Sequence, residues 1–590
     1  MTHRAVAKVA RRWDNLWSTM ESPYRGAAGS EMLERASSRG LVDEVVSQFA
    51  DSFAFLRELV QNAIDAGSPT VDVEISHDPD ARLARVVVRD RGEGMDRELL
   101  EGSLLVLFRS TKDQDVSKIG KFGIGFASVL AARPNIVIVE TSRGGQRYTL
   151  HLSPDLSYQI FEPGPSTRTG TSVELEIPIA GLAFTQFVAR CHDALRRWCR
   201  HTLVPIRLLL RRWHTGELHN ESLLPQLGHG HVGEDGRFEV RIDAPLGLDD
   251  VVVQVHGVSA DGCTEAVVGL VQKDQVRASF YNRGLLLYES TVALVPGVTF
   301  KVLDARLGHT LSRDDVRRDD VFHQAMELVR QLAERDLPAA LADELARAAA
   351  SDGARWRELF DAVDAAGLTL TADQWSFPLA APLAGALAQR ASALPRRVWA
   401  TAAQTPLVEA LAAAGLPVLG PLAPALHGAV ERRSRRELRI VEHELTLVEL
   451  APMDAADTAL LAALSALLAH AHRAPRELWL ASFQGAFAAA AWVTGGPRQA
   501  LVVLDERRWV IEPAQASGSA FSRWGSRSIA LNVGARLIDA ARRRSLAEPL
   551  QAAALLARAI LLQQEELDEA ASLRLLEYTL ERLALGEEPA

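Results

Sequence analysis

The sequence is poor in cysteine, lysine and long apolar runs, and each shortage removes a class of protein. Three cysteines, Cys191, Cys199 and Cys263, are too few in 590 residues for a disulfide framework, so a reducing, cytoplasmic setting is expected. No stretch of ~18 residues is free of both charge and strong polarity, and the most apolar run, Phe483 to Val493, is far shorter than a bilayer span; a soluble protein is expected. Met1 to Trp13 carry Arg4, Lys8, Arg11 and Arg12 without an apolar segment leading to a small-residue cleavage site, which is not a secretory-signal pattern. Excess charge of one sign is missing too. The 65 basic and 75 acidic residues leave a net charge of −10, small for this length, which argues against disorder and against nucleic acid as the main partner. Six of the basic residues are lysines and three of those, Lys112, Lys118 and Lys121, fall together, where a compact ammonium suits the chemistry better than a planar fork.

What is present is ordinary globular chemistry, 48% hydrophobic and 24% charged, over a length that suggests about three or four domains. Residues 1–40 are polar and arginine-rich and read as an N-terminal extension. In Phe53 to Ala66 (FAFLRELVQNAIDA) the four-residue spacing of Phe55, Leu59 and Ala63 predicts an amphipathic helix ended by Gly67. Strands are predicted at Thr70–Ile75 and Leu83–Arg89, then at 135–141, 147–152 and 171–177, with a glycine-rich turn into a helix over Gly120–Leu130. Residues 41–180 therefore read as helices packed on an antiparallel sheet. Residues 181–440 read as a second, mixed α/β region, and 441–590 as a helix-rich third. The last helices, 549–564 and 567–585, carry more apolar surface than one monomer covers. The fold class is α+β, multidomain.

Four short segments of the first region read together as a nucleotide site. Glu58, Asn62 and Asp65 lie at i, i+4 and i+7, on one helix face, where three polar residues are costly unless they bind something. A carboxylate beside an amide oxygen suits a general base next to a magnesium ligand, although a solvated helix face carries the same letters. In Asp90-Arg-Gly-Glu-Gly-Met95 the glycines Gly92 and Gly94 let the backbone approach a planar ligand. There Asp90 can accept the exocyclic amine of adenine and Met95 can pack on the ring, or the segment is a plain turn. Gly120-Lys-Phe-Gly-Ile-Gly-Phe126 leads into a helix and offers amides to phosphates, with a spacing that is neither a dinucleotide fingerprint nor a P-loop. Thr169-Gly-Thr171 opens a strand, and the Thr171 hydroxyl can support Asp90 or a water at the base. A zinc site from Cys191, His192, Cys199 and His201 is rejected, because one helix cannot set those four tetrahedrally.

In this order and spacing the segments resemble the ATPase superfamily that includes gyrase, heat-shock protein 90, histidine kinases and the mismatch-repair ATPases. FLRELVQNAIDA, GKFGIGF and the final GT resemble heat-shock protein 90 of the bacterial type most. The resemblance implies a Bergerat-type α/β sandwich, followed by an α/β middle domain and a C-terminal dimerisation domain. It implies that Glu58 activates water, that Asn62 binds Mg2+ and that Asp90 reads adenine. ATP contacts would come from Asn62, Asp65, Asp90, Gly94, Met95, Lys112, Gly120, Lys121, Phe122, Gly123, Ile124, Gly125, Phe126 and Thr171. Val204-Pro-Ile206, Tyr281-Asn-Arg-Gly-Leu285 and Thr310-Leu-Ser-Arg-Asp314 resemble the family's middle domain and make Arg313 the arginine that reaches the γ-phosphate. Two departures stand out: the lid segment, Asp96 to Ile119, is short, and Arg317 stands where the family has glutamine. By resemblance the chain is an ATP-dependent chaperone, a cytoplasmic homodimer joined through 549–585 that acts on client proteins, with no membrane partner. The rival expectation is an ATP-gated clamp on nucleic acid or in a dedicated complex, as in mismatch repair; a third is a nucleotide-binding scaffold with little turnover.

Overall fold

The computed structural model describes residues 51–585 except 79, 105–122, 155–156, 162, 180–182, 212–226, 228–229, 233–236, 272–276, 309–314, 513–527 and 565. The expected extension at 1–40 lies outside them. Alternating apolar letters set the first sheet. Val71, Val73 and Ile75 of β1 (Val71–Asp78) are buried, as are Ala84, Val86 and Val88 of β2 (Leu83–Asp90). Val137 and Val139 of β3 (Ile136–Arg143) and Leu150 and Leu152 of β4 (Gln146–Leu152) join the same core. Over it pack α1 (Ala54–Asp65), the 3-10 turn Ala127–Ala132 and α2 (Phe184–Cys199), so the unit is a two-layer sandwich. The other face of the sheet is held by ion pairs, with Arg207 on Asp72 at 2.7 Å and Arg89 on Glu74 at 2.7 Å.

Ten strands join this sheet among the described residues. After the short β5 (Tyr158–Ile160) and β6 (Gly164–Pro165) come β7 (Gly170–Pro178), β8 (Ile206–Arg211), β9 (His231–Val232) and β10 (Phe238–Arg241). The order is β5-β4-β3-β7-β2-β1-β8-β10-β9, with β6 beside β4. β8 runs parallel to β1, Val71 opposite Ile206. This corrects the division expected at residue 180. The helix 184–199 and the strands to Arg241 complete the first sheet and its core, because Ile206, Leu208 and Leu210 continue the buried row of β1.

A second sheet, β11 (Val251–Val258), β12 (Thr264–Val271), β13 (Ala278–Asn282), β14 (Leu285–Ser290) and β15 (Thr299–Asp304), is ordered β11-β12-β15-β13-β14. It shares one core with α3 (Asp320–Gln331), α4 (Leu337–Ser351), α5 (Gly353–Ala365) and a third sheet whose strands span Ser376 to Ile440. A fourth sheet of six strands, among them Glu477–Gly485 and Ser528–Asn532, packs with α6 (Ala455–His470), α7 (Arg536–Ser545), α8 (Pro549–Gln563) and α9 (Glu569–Leu585). The architecture is α+β and multidomain. Among the described residues no helix is long and apolar enough to cross a membrane.

Candidate functional site

α1 buries Phe55, Leu56, Leu59, Val60 and Ala63 and ends where Gly67, at φ +70°, lets the chain turn back. One charged residue goes inside with them: Glu58, 8% exposed. A Cβ placed on Gly125 would lie 2.7 Å from Glu58 Oε2, so glycine at 125 lets the short helix Gly123–Phe126 come down onto the carboxylate. Glu58 Oε1 lies 3.5 Å from the Arg57 guanidinium. One and two turns further along, Asn62 and Asp65 are exposed. Asp65 accepts a hydrogen bond at 2.9 Å from Arg283, at the tip of the β13–β14 hairpin.

Asp90 closes β2. Its Oδ1 accepts the Gly92 amide at 2.8 Å and the Thr171 amide at 3.1 Å. Burial pushes its carboxyl above the usual carboxylate range, against the pull of those two amides. Beside it a chain of hydroxyls fixes the turn: the Met95 amide donates to Thr141 Oγ1 at 2.7 Å, and that oxygen lies 3.0 Å from Thr171 Oγ1. The Arg91 amide donates to Ser68 Oγ at 2.8 Å, which ties the turn to the end of α1. Gly94 has φ +67°, and a Cβ there would sit 2.1 Å from the Ser142 carbonyl oxygen. The glycines are therefore required by close backbone approach.

The structure thus brings Asp90, Gly94, Met95 and Thr171 together at one end of β2 and β7, and sets Glu58 against Gly125. Phe126 is buried in the first core, and Gly123 and Ile124 share the short helix with Gly125. Lys112, Gly120, Lys121 and Phe122 lie outside the described residues, as does Arg313. Asp65 faces the second sheet through Arg283 rather than Asp90. Of the expected lid, Asp96 to Leu104 is described: Asp96 caps a helical turn by accepting the Leu99 amide at 2.9 Å. Arg317 donates to Asp319 Oδ2 at 2.6 Å, the carboxylate that caps α3. Cys191 and Cys199 are buried in the first core, and burial raises the Cys199 thiol to about 12. Among the described residues no group of three or more His, Cys, Asp or Glu side chains could hold a metal.

Thr141 and Ser68 were not foreseen. Thr141 left a signal in the sequence. It follows Val137 and Val139 on the inward face of β3, and a hydroxyl in an apolar row asks for a partner. Gly170, at φ +116°, leaves room for the Asp90 carbonyl oxygen, which a Cβ would meet at 2.4 Å.

An aspartate thus sits among backbone amides at a strand end, beside glycines whose backbone is too closely approached for a Cβ, and a buried glutamate lies against Gly125. Residues 51–159 match the family described as histidine kinase-, DNA gyrase B-, and HSP90-like ATPase. The chain is 26% identical over 271 residues, 40% of this chain and 38% of the relative, to the mitochondrial 75 kDa heat shock protein of Bos taurus. It is 29% identical over 210 residues to the chaperone protein HtpG of Methylobacterium sp. (strain 4-46), covering 30% of this chain and 34% of the relative. To HtpG of Mycolicibacterium vanbaalenii it is 31% identical over 184 residues, 26% of this chain and 28% of that one. The chain spans about a third of the length of the curated relatives it matches. Residues 51–159 are therefore similar to the ATPase domains of the histidine kinase, gyrase B and HSP90 type, and the chain resembles heat-shock chaperones over part of its length.

Proposed function

We propose that the chain hydrolyses ATP and uses the cycle as a dimeric chaperone clamp on client proteins. The observation that carries the ATP site is Asp90, desolvated and holding the Gly92 and Thr171 amides through Oδ1, so that its second oxygen is left to accept the adenine amine. Met95, Gly94 and Thr171 line the base, and the glycine segment 120–126 and Lys112 serve the phosphates. Glu58, buried against Gly125 and beside the Arg57 guanidinium, is the base that takes the proton of the attacking water. Asn62, one turn along the exposed side of α1, would hold Mg2+ through its amide oxygen, and the ion when bound would neutralise phosphate charge. Arg313 is the guanidinium that meets the γ-phosphate when the second domain docks. Homodimerisation is assigned to α8 and α9, whose leucines Leu555, Leu562, Leu576 and Leu580 are exposed. On this reading the chain works in the cytoplasm with client proteins as partners.

The test is steady-state hydrolysis with nucleotide binding measured separately. Wild type turns over ATP, Asp90→Ala no longer binds it, and Glu58→Ala and Arg313→Ala bind it without turnover, a loss of about a hundredfold or more. Equal turnover in wild type and Glu58→Ala overturns the assignment of the base. Suppressed aggregation of a denatured protein supports the chaperone role. Salt-sensitive duplex-DNA binding in its place would move the chain to the mismatch-repair type of clamp.

A further inference from the structure

The β13–β14 hairpin turns on two residues, Arg283 and Gly284, both left-handed at φ +48° and +83°. That is the geometry which matches the twist of paired strands. Glycine is required at 284, because a Cβ there would lie 2.1 Å from the carbonyl oxygen of His201. The turn is thereby seated on the backbone of residues 201–202 in the first domain, and Leu285 beside it is buried in that domain's core. Arginine at 283 is a different matter. Asn, Asp or Gly suits a left-handed position better, yet Arg82, Arg133 and Arg435 also take one, so what singles out Arg283 is the contact its side chain makes. From that seat Arg283 Nη1 donates to Asp65 Oδ1 at 2.9 Å, on α1 two turns beyond Glu58. The neighbouring Asn282 Nδ2 donates to the carbonyls of Ala305 at 2.9 Å and Leu307 at 2.6 Å, and the Gly308 carbonyl accepts the Arg317 amide at 2.7 Å. Between α1 and the hairpin lies a cleft of about 290 Å3, walled by Gln61, Ile64, Leu286 and Leu307, and Arg283 and Asp65 stand in its lining.

We infer that the Asn282-Arg283-Gly284 turn is a strut that positions α1, and through it Glu58, relative to the second sheet. One turn of backbone addresses two things: the helix that carries the glutamate and the segment Ala305–Gly308 that leaves β15. Arg283 is a positioning residue, since it touches Asp65 and reaches no reacting atom. The inference rests on Glu58 being the hydrolytic base. The pair is partly exposed, with side chains 55% and 39% accessible, so its influence is that of a surface ion pair.

The experiment compares ATP turnover by the full-length wild type, Arg283→Asn, Arg283→Lys, the exchange Asp65→Arg with Arg283→Asp, and Glu58→Ala. Asn and Asp accept the left-handed turn, so the charge is removed or moved without straining the backbone. Arg283→Asn is expected to lower kcat about fivefold, roughly 1 kcal/mol, with KM and the nucleotide Kd within about twofold. Arg283→Lys and the exchange are expected to restore kcat to within about twofold, and amide exchange in the last turn of α1 should quicken in Arg283→Asn alone. Turnover in Arg283→Asn equal to wild type, or a change confined to KM, overturns the strut while Glu58→Ala still loses activity. Wild-type turnover that survives Glu58→Ala instead overturns the base, and the strut's catalytic role with it.

Discussion

The rim of the first sheet and the last two helices break the rule of apolar inside and polar outside in opposite directions. At the rim, Glu58 and Thr141 are buried at 8% and 1% exposure among valines and leucines. On α8 and α9, Leu555, Leu562, Leu576 and Leu580 stand more than half exposed. Each departure is unfavourable for a lone chain, the first through desolvation and the second through apolar surface left in water. The polar departures come with hydrogen bonds and glycines that fix one geometry, which is what a small ligand needs. The apolar departures come as a repeat: Leu573, Leu576, Leu580 and Leu583 alternate spacings of three and four along one face of α9, opposite the buried Ala571 and Leu575. That pattern specifies a surface, and under the proposed function it is covered by a second copy of the same helices.

The largest expected effect falls on the rim. Gly94→Val puts a branched side chain at φ +67° with its Cβ 2.1 Å from the Ser142 carbonyl oxygen, so backbone strain and overlap add. Stability is expected to fall by about 3 kcal/mol or more and ATP binding to vanish, as thermal melting and calorimetric titration would register. On the helix side, Leu576→Glu with Leu580→Glu should weaken self-association by about a hundredfold or more, at ~1.5–3 kcal/mol for each buried leucine. Sedimentation would report this, while the melting of the monomer stays put because both side chains already face water. A double variant that unfolds, or a wild type that is monomeric at every concentration, removes the distinction between the two regions.

The same contrast explains what was legible in the sequence. The strands of the first sheet could be read from alternation, and Asp90, Gly94 and Thr171 from polar or glycine letters at positions where apolar ones are the default. The boundary at residue 180 misled because β8 joins the sheet in parallel, and a strand of Ile, Leu and Arg carries no mark of which sheet it enters. Arg283 was read as part of a family resemblance; its bond to Asp65 joins residues 218 apart in sequence, and only the fold makes it visible. In the C-terminal part, leucine and alanine write core and surface in the same letters. Leu556 and Leu561 are fully buried while Leu555 and Leu562 are exposed, and one step along a helix makes the difference.

Polar burial also serves structure alone, and His201 provides the control. Its Nε2 lies 3.1 Å from Lys301 Nζ and its Nδ1 lies 3.2 Å from the Ala244 carbonyl oxygen, beside the Arg200–Asp249 pair. The neutral ring therefore accepts from the lysine and donates to the carbonyl. Burial first, and then the Lys301 ammonium, push its pKa from 6.5 down to about 4. A histidine with a lowered folded pKa binds fewer protons folded than unfolded, so its contribution is full above pH 6.5 and is lost as pH falls toward 4. The loss is expected to be on the order of 2–3 kcal/mol across that window, and denaturant unfolding at several pH values should find it flattened in His201→Gln. An identical pH profile in the variant would mean that other groups carry the acid sensitivity.

The smallest effect is expected at Thr141, where site and core meet in one atom. Its Oγ1 accepts the Met95 amide at 2.7 Å and faces Thr171 Oγ1 at 3.0 Å, while its methyl group sits in the valine row of β3. Thr141→Val keeps that shape and removes the acceptor, so the Met95 amide loses its partner, at a cost of about 1–2 kcal/mol. If the hydroxyl only steadies the strand, the loss appears in unfolding and nucleotide affinity is untouched. If it also fixes the turn that carries Gly94 and Met95, ATP affinity falls about five- to tenfold and Thr141→Ser, which keeps the oxygen, recovers it. The second outcome is the one expected, because the Met95 backbone has a single anchor, the Thr141 hydroxyl, among the described contacts, and that hydroxyl also meets Thr171, whose amide holds Asp90. Wild-type affinity in Thr141→Val would move the hydroxyl from the site to the core, where it would be a buried polar group that serves the strand alone, as His201 serves its own surroundings.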